Sequence, residues 1–238
     1  MARCMRIHAD FTQTIIIQPH DYQWVKSPGG EVNRMMLDRI GTEKARATSL
    51  VEFSAQSQFP KHSHPLGEEV LVLSGIFTEN HDQHYTTGWY MRNPHGSKHC
   101  VSSETGCQIF VKLMQMTEDE LEPTRINTLD PENWKTNNGR FLCPLYTSTF
   151  ERTFLEKLHF KQILMENFAH GVEILVISGE ISLNDQTYAA GTWLRIAQNN
   201  HVDLYATCSD TTLYVKAGHL AHAIELWCHA DHIESAMT

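Results

Sequence analysis

The feature that most constrains this chain is that it repeats itself. The run Glu68-Glu69-Val70-Leu71-Val72-Leu73-Ser74-Gly75 returns 104 residues later as Val172-Glu173-Ile174-Leu175-Val176-Ile177-Ser178-Gly179. Downstream, Gly88-Trp89-Tyr90-Met91-Arg92 returns 103 residues later as Gly191-Thr192-Trp193-Leu194-Arg195, and upstream Trp24 has a counterpart in Trp134. Three matched features in the same order mark two copies of one domain. The repeated apolar cores have strand length and end in a Ser-Gly turn signal, so the duplicated unit is built from β-strands.

The rest of the chain agrees. Thr14 to Ile17, Ser49 to Phe53, Val70 to Leu73, Cys107 to Leu113, Ile174 to Ile177, Thr192 to Ile196 and Thr212 to Val215 read as strands. Turn signals such as Pro28-Gly29-Gly30, Thr87-Gly88 and Asn137-Asn138-Gly139 separate them. Many short strands at this spacing predict an all-β fold of barrels or sandwiches. Only the stretch from about Ala221 onward has room for a helix. Residues 1–116 form the first expected domain, 117–126 a charged linker containing Pro123, and 127–238 the second domain with its C-terminal segment.

Composition excludes several classes. The 238 residues carry a formal net charge of −9, which argues against a nucleic-acid partner, since that needs a basic stripe. No apolar run reaches the roughly 18 to 20 residues that span a bilayer, and Met1 to Asp10 has no secretory pattern. No membrane partner is expected, and the cytoplasm is the expected compartment. Six cysteines show no C-x-x-C pair, so reduced thiols are expected rather than a disulfide framework. There is no G-x-S-x-G and no nucleotide-binding glycine fingerprint. Glu118, Asp119, Glu120 and Glu122 read as a solvated linker or helix start.

Fifteen histidines are the one compositional excess, and their placement carries the chemistry. His62 and His64 sit two apart, so on a strand both imidazoles project from one face. Pro65 to Gly67 can turn the chain back and present Glu68, and His99 follows the turn Pro94-His95-Gly96. Three imidazoles and one carboxylate converging on a point make a first-row transition-metal site.

These residues resemble the cupin superfamily. His62-x-His64-x3-Glu68-x6-Gly75 is similar to its first motif, and Gly88-x5-Pro94-x-Gly96-x2-His99 to its second. The flavour of the two motifs, followed by Gly106-Cys107-Gln108-Ile109-Phe110-Val111, resembles the cupin domain of ChrR-type anti-sigma factors and their free-standing relatives. Ala9-Asp10-Phe11, Trp24 and Arg46 to Leu50 fit that group too, so the likeness is expected to cover most of the chain. The resemblance implies two tandem jelly-roll barrels, a metal in the first and a degenerate second. It also implies a homodimer. Zinc is the first expectation for the metal, with iron, manganese and nickel as alternatives, because the donor set takes any of them.

The second copy lacks the ligands. At the matching offset His62 becomes Glu166, His64 becomes Phe168, and Glu68 becomes Val172, while the Pro-x-Gly turn becomes Ala197-Gln198-Asn199. Glu69 persists there as Glu173, so it has a use independent of metal, and Glu68 is preferred as the ligand. His95 reads as a turn residue, and His81 and His84 as solvated residues of a loop from Glu79 to Thr87. His201 reads as a bystander and Cys100 as a packed thiol facing away from the metal. His222, Glu225, His229 and His232 read as the polar face of a terminal segment rather than a second metal site.

Two functions follow. One is a regulatory or stress-sensing metal module, as the ChrR resemblance implies. Sigma-factor binding is a poor expectation, because that family's sigma-binding part is a separate zinc domain with a His-x3-Cys-x2-Cys motif, and here only Cys4 and His8 precede the cupin. The other is an Fe(II) dioxygenase that cleaves a diketone or hydroxyketone held in the first barrel. Tyr90 and Arg92 are then the first candidates for polar groups lining the pocket.

Overall fold

A computed structural model of the chain describes residues 4–27, 32–42, 44–164, 166, 168–200, 202–221 and 223. The chain separates into two compact units, Met1–Ala9 with Tyr22–Asn133, and Asp10–Asp21 with Trp134–Thr238. This corrects the expected boundaries at two places. Residues 10–21 belong to the second unit, where Ile15–Ile17 pairs with Trp193–Ile196. The expected linker belongs to the first, where Thr124–Asn127 pairs with Trp89–Asn93. Each connecting segment thus contributes an edge strand, which composition alone does not reveal.

The first unit is organised by one long strand, Glu68–Glu79. Its first half lies between Cys107–Leu113 and Trp89–Asn93. Beyond Cys107–Leu113 the sheet continues through Ala45–Phe53 and Val32–Gly41, whose outer edge carries Met5–Ile7 and Trp24–Lys26. Its second half pairs with Gln83–Thr86 and with Lys98–Ser103, which in turn pairs with Ser57–Ser63. The strand changes sheets at Gly75. There φ is +75°, and a Cβ would stand 2.0 Å from the Gly106 carbonyl oxygen, so no other residue fits. Alternation then sends Val70 and Val72 inward to meet Phe53, Phe77, Val101, Ile109 and Val111 in one core.

The second unit repeats the plan. Val172–Ser178 and Glu180–Leu183 flank Gly179, again at positive φ (+78°) and again too tight for a Cβ. The larger sheet runs from Lys135–Asn137 through Arg140–Thr147, Arg152–Leu158, Thr211–Ala217, Val172–Ser178 and Trp193–Ile196 to Ile15–Ile17. Gln186–Ala189, Glu180–Leu183 and Leu204–Ala206 make the smaller one. Their shared core is aliphatic and aromatic.

Every strand predicted from the sequence overlaps an observed one, with Thr14 and Thr192 falling one residue before the strands Ile15–Ile17 and Trp193–Ile196. The expected loop from Glu79 to Thr87 instead contains the strand Gln83–Thr86, because polar residues on an outer hairpin carry no burial signal. No helix among the described residues is long and apolar enough to cross a membrane. His201, His222, Glu225, His229 and His232 lie outside the described residues, as does the expected terminal helix beyond residue 223; residues 219–221 and 223 are helical.

Candidate metal centre

Register places the donors. His62 and His99 are directly opposed across Ser57–Ser63 and Lys98–Ser103, so their rings share a face. His64 follows at the strand end. Its backbone N–H donates to Ser97 O (3.0 Å), and its carbonyl accepts from Gly96 N (2.9 Å). Leu66 and Gly67, with φ of 54° and 74°, reverse the chain so that Glu68 opens the next strand facing the three rings. His95 is exposed and braces this turn, its Nδ1 accepting from Leu66 N at 3.0 Å.

His64 Nε2 lies 2.8 Å from His99 Nε2, and Glu68 Oε2 lies 3.5 Å from His99 Nε2 and 3.7 Å from His64 Nε2. Ring nitrogens of all three histidines fall within 4.8 Å of one another. A first-row ion with bonds of about 2.1 Å spaces neighbouring donors by about 3.0 to 3.4 Å and opposite ones by about 4.2 Å. The donor set therefore fits one ion. His62 directs its Nδ1 to Pro60 O (2.9 Å), which leaves its Nε2 for the centre. His64, Glu68 and His99 are buried and His62 is half-buried. Beside His62, His64 and Glu68 opens a cavity of about 320 Å³ with Phe53, Phe77, Val101 and Ile109 in its walls.

Three residues not anticipated from the sequence complete the cluster. Glu79, at the far end of the strand that Glu68 opens, accepts from His99 Nδ1 (2.8 Å) and Asn93 Nδ2 (2.9 Å). Arg125 donates to the other Glu79 oxygen (2.8 Å) and to Asn93 Oδ1 (2.6 Å). Asn93 Nδ2 also reaches Glu68 Oε2 at 3.1 Å. Burial would raise the Glu79 pKa, but the His99 hydrogen bond and the Arg125 charge outweigh it and hold the carboxyl at about 2. For His99, burial favours the neutral ring, yet the bond to Glu79 and the Glu68 charge win and raise its pKa. Burial dominates at His64 and lowers it. The sequence signal for Glu79 and Asn93 was available, since the second copy replaces them with Leu183 and Ile196, but they lie outside the ligand motifs.

Tyr90 and Arg92 require correction, because the cavity lining includes neither. Asn93 is opposite Glu68, whereas Arg92 is opposite Glu69, so strand alternation turns Arg92 and Tyr90 to the other face. There Arg92 pairs with Glu69 at 3.0 Å and with Glu120 at 2.5 Å. Glu120 is thus an ion-pair partner, not part of a solvated run. Glu173 in the second unit likewise accepts from Trp193 Nε1 (2.8 Å) and His219 Nε2 (3.1 Å). Cys100 faces away from the donors, its Sγ 3.4 Å from His81 Nε2, and His84 meets Thr78 Oγ1 at 3.0 Å.

In the second unit Glu166, at the His62 position, pairs with Arg152 at 2.5 Å, and Val172, at the Glu68 position, is fully buried in the core. Two barrels, one with converging donors and one packed with hydrocarbon, define a bicupin. Solved structures share that fold. Pirin YhhW from Escherichia coli in complex with nickel(II) is 12% identical (TM-score 0.64, covering 86% of this chain and 98% of that one). A putative dioxygenase from Nostoc punctiforme is also 12% identical (TM-score 0.68, 88% and 84%). Protein Ylba from E. coli is 14% identical (TM-score 0.65, 90% and 93%). Residues 12–117 match the family model of the ChrR cupin-like domain, and the likeness to the solved structures is one of bicupin fold. That match spans the first half rather than most of the chain, and no curated protein matches the sequence.

Proposed function

We propose that the first unit binds one divalent transition metal through His62, His64, His99 and Glu68, and that this metal takes a small molecule from the adjoining cavity. The observation that carries the reading is the convergence of four donors at the wall of an apolar cavity. Four protein donors would close a tetrahedral ion, so a small molecule could join the metal only in a five- or six-coordinate arrangement, for which the adjoining cavity leaves room. Likeness to ChrR-type cupins supports a regulatory role, in which ligand or oxidant at the metal changes what the module does. Zinc is the metal that fits this role best.

The same cavity supports a second reading, an Fe(II) dioxygenase acting on a diketone or hydroxyketone. Bound iron would offer such a substrate a chelating site, and Phe53, Phe77, Val101 and Ile109 would receive its hydrocarbon part. The fold likeness to a putative dioxygenase from Nostoc punctiforme adds to this reading. When bound, iron would supply dioxygen activation. The chain itself supplies a largely apolar pocket, the donors, and Glu79 holding the His99 Nδ1–H.

Elemental analysis of the purified protein separates the readings. About one metal per chain is expected, falling to near zero in a His62→Ala/His64→Ala variant. Full metal content in that variant rejects the site. Oxygen consumption by the iron-loaded protein with a 1,3-diketone selects the enzyme. Tightly held zinc without turnover selects the sensor.

A further inference from the structure

We infer that Glu79, Asn93 and Arg125 are positioning residues for the metal, a scaffold with a buried Glu79–Asn93 pair that fixes two of its four ligands. The inference rests on the metal-centre reading. His99 donates its Nδ1 proton to Glu79, which sets the tautomer and aims Nε2 at the centre. Asn93 bridges Glu79 to Glu68, joining the carboxylate ligand to the same scaffold. Arg125 neutralises Glu79 and is itself tied down. Its guanidinium donates to Glu79, Asn93, the Arg92 and Thr124 carbonyls and the Tyr85 hydroxyl.

The second unit shows what this network is for. Val172 stands there for Glu68, Leu183 for Glu79, and Ile196 for Asn93. The register is preserved, since Glu68 opposes Asn93 and Val172 opposes Ile196. Arg125 opposes Met91, and in the second unit Ile16 opposes Leu194. All four polar positions are therefore aliphatic at once, and Val172, Leu183 and Ile196 join one core against which Ile16 packs. The barrel is built equally well from hydrocarbon, which costs nothing to desolvate. The expensive buried network is kept only in the unit that has the histidines. A role in folding alone would not track the ligands in this way, and a role in holding them does.

The test transplants the second unit's solution. Glu79→Leu/Asn93→Ile/Arg125→Ile leaves all four ligands in place. It is expected to fold, with wild-type far-ultraviolet circular dichroism, and to bind zinc about 10- to 100-fold more weakly in chelator competition. Its cobalt(II) complex is expected to show displaced d–d absorption bands, which report ligand geometry directly. Wild-type zinc affinity together with an unchanged cobalt spectrum in this variant would overturn the inference. If the triple variant does not fold, Glu79→Gln, nearly isosteric, is measured the same way and decides. Failure of the wild-type protein to bind either ion would instead refute the metal-centre reading.

Discussion

His64 and His99 sit 2.8 Å apart, Nε2 to Nε2, with opposite pKa tendencies, lowered by burial at His64 and raised through Glu79 and Glu68 at His99. These directions favour His99 over His64 as the proton's place in the metal-free protein. A metal ion must displace that proton, so uptake releases a proton. Calorimetry in buffers of different ionisation enthalpy should register about one proton released per zinc near pH 7. The sign of the pH dependence follows. The raised His99 pKa makes affinity fall as pH drops, beginning above the usual histidine value of about 6.5. Glu79→Gln removes the charge that raises His99, so its acid limb should shift to lower pH while its affinity at alkaline pH falls. An acid limb that does not move would show that Glu79 leaves the His99 proton untouched. The four converging side chains could be picked out of the sequence because their spacing is local and tied to Gly75 and Gly96. Arg92 and Tyr90 were not, because alternation says that two residues share a face without saying which face.

At the scale of the element, Glu68–Glu79 carries both ends of the site, Glu68 at its start and Glu79 at its close. It can do so only because it bends at Gly75. Gly75→Ala places a side chain against the Gly106 carbonyl in a left-handed backbone, and should cost about 2 kcal/mol or more. Gly139→Ala is the control. Its φ is also +75°, but nothing lies within 4 Å of the added Cβ, so about 1 kcal/mol is expected from the backbone alone. Denaturant titration compares them, and equal losses would mean the bend is more tolerant than its contacts imply. The repeat and the bend were visible in the sequence as Ser74-Gly75 and Ser178-Gly179. The strand Gln83–Thr86 was hidden, since a polar outer strand lacks the apolar rhythm by which strands are read.

For the whole molecule, two units with one donor set predict unequal responses to metal. Zinc at a thousandfold excess over its Kd should stabilise the first unit by about 4 kcal/mol. Hydrogen exchange should then slow across residues 68–113 and remain unchanged across 172–217. Slowing in both would place a second ion in the second unit, against its aliphatic interior. The duplication, and the loss of ligands from one copy, were legible because both halves preserve their glycines. The exchange of segments was not, since a strand's partner is a tertiary fact that local pattern does not encode.

That exchange governs how the chain can be divided. A cut at residue 117 yields a front piece deprived of Thr124–Asn127, and with it Arg125, and a back piece deprived of Ile15–Ile17. Neither half exists as an uninterrupted stretch of sequence. Swapping one barrel for a homologue's, by recombination or by cloning, therefore demands splicing at three junctions instead of one.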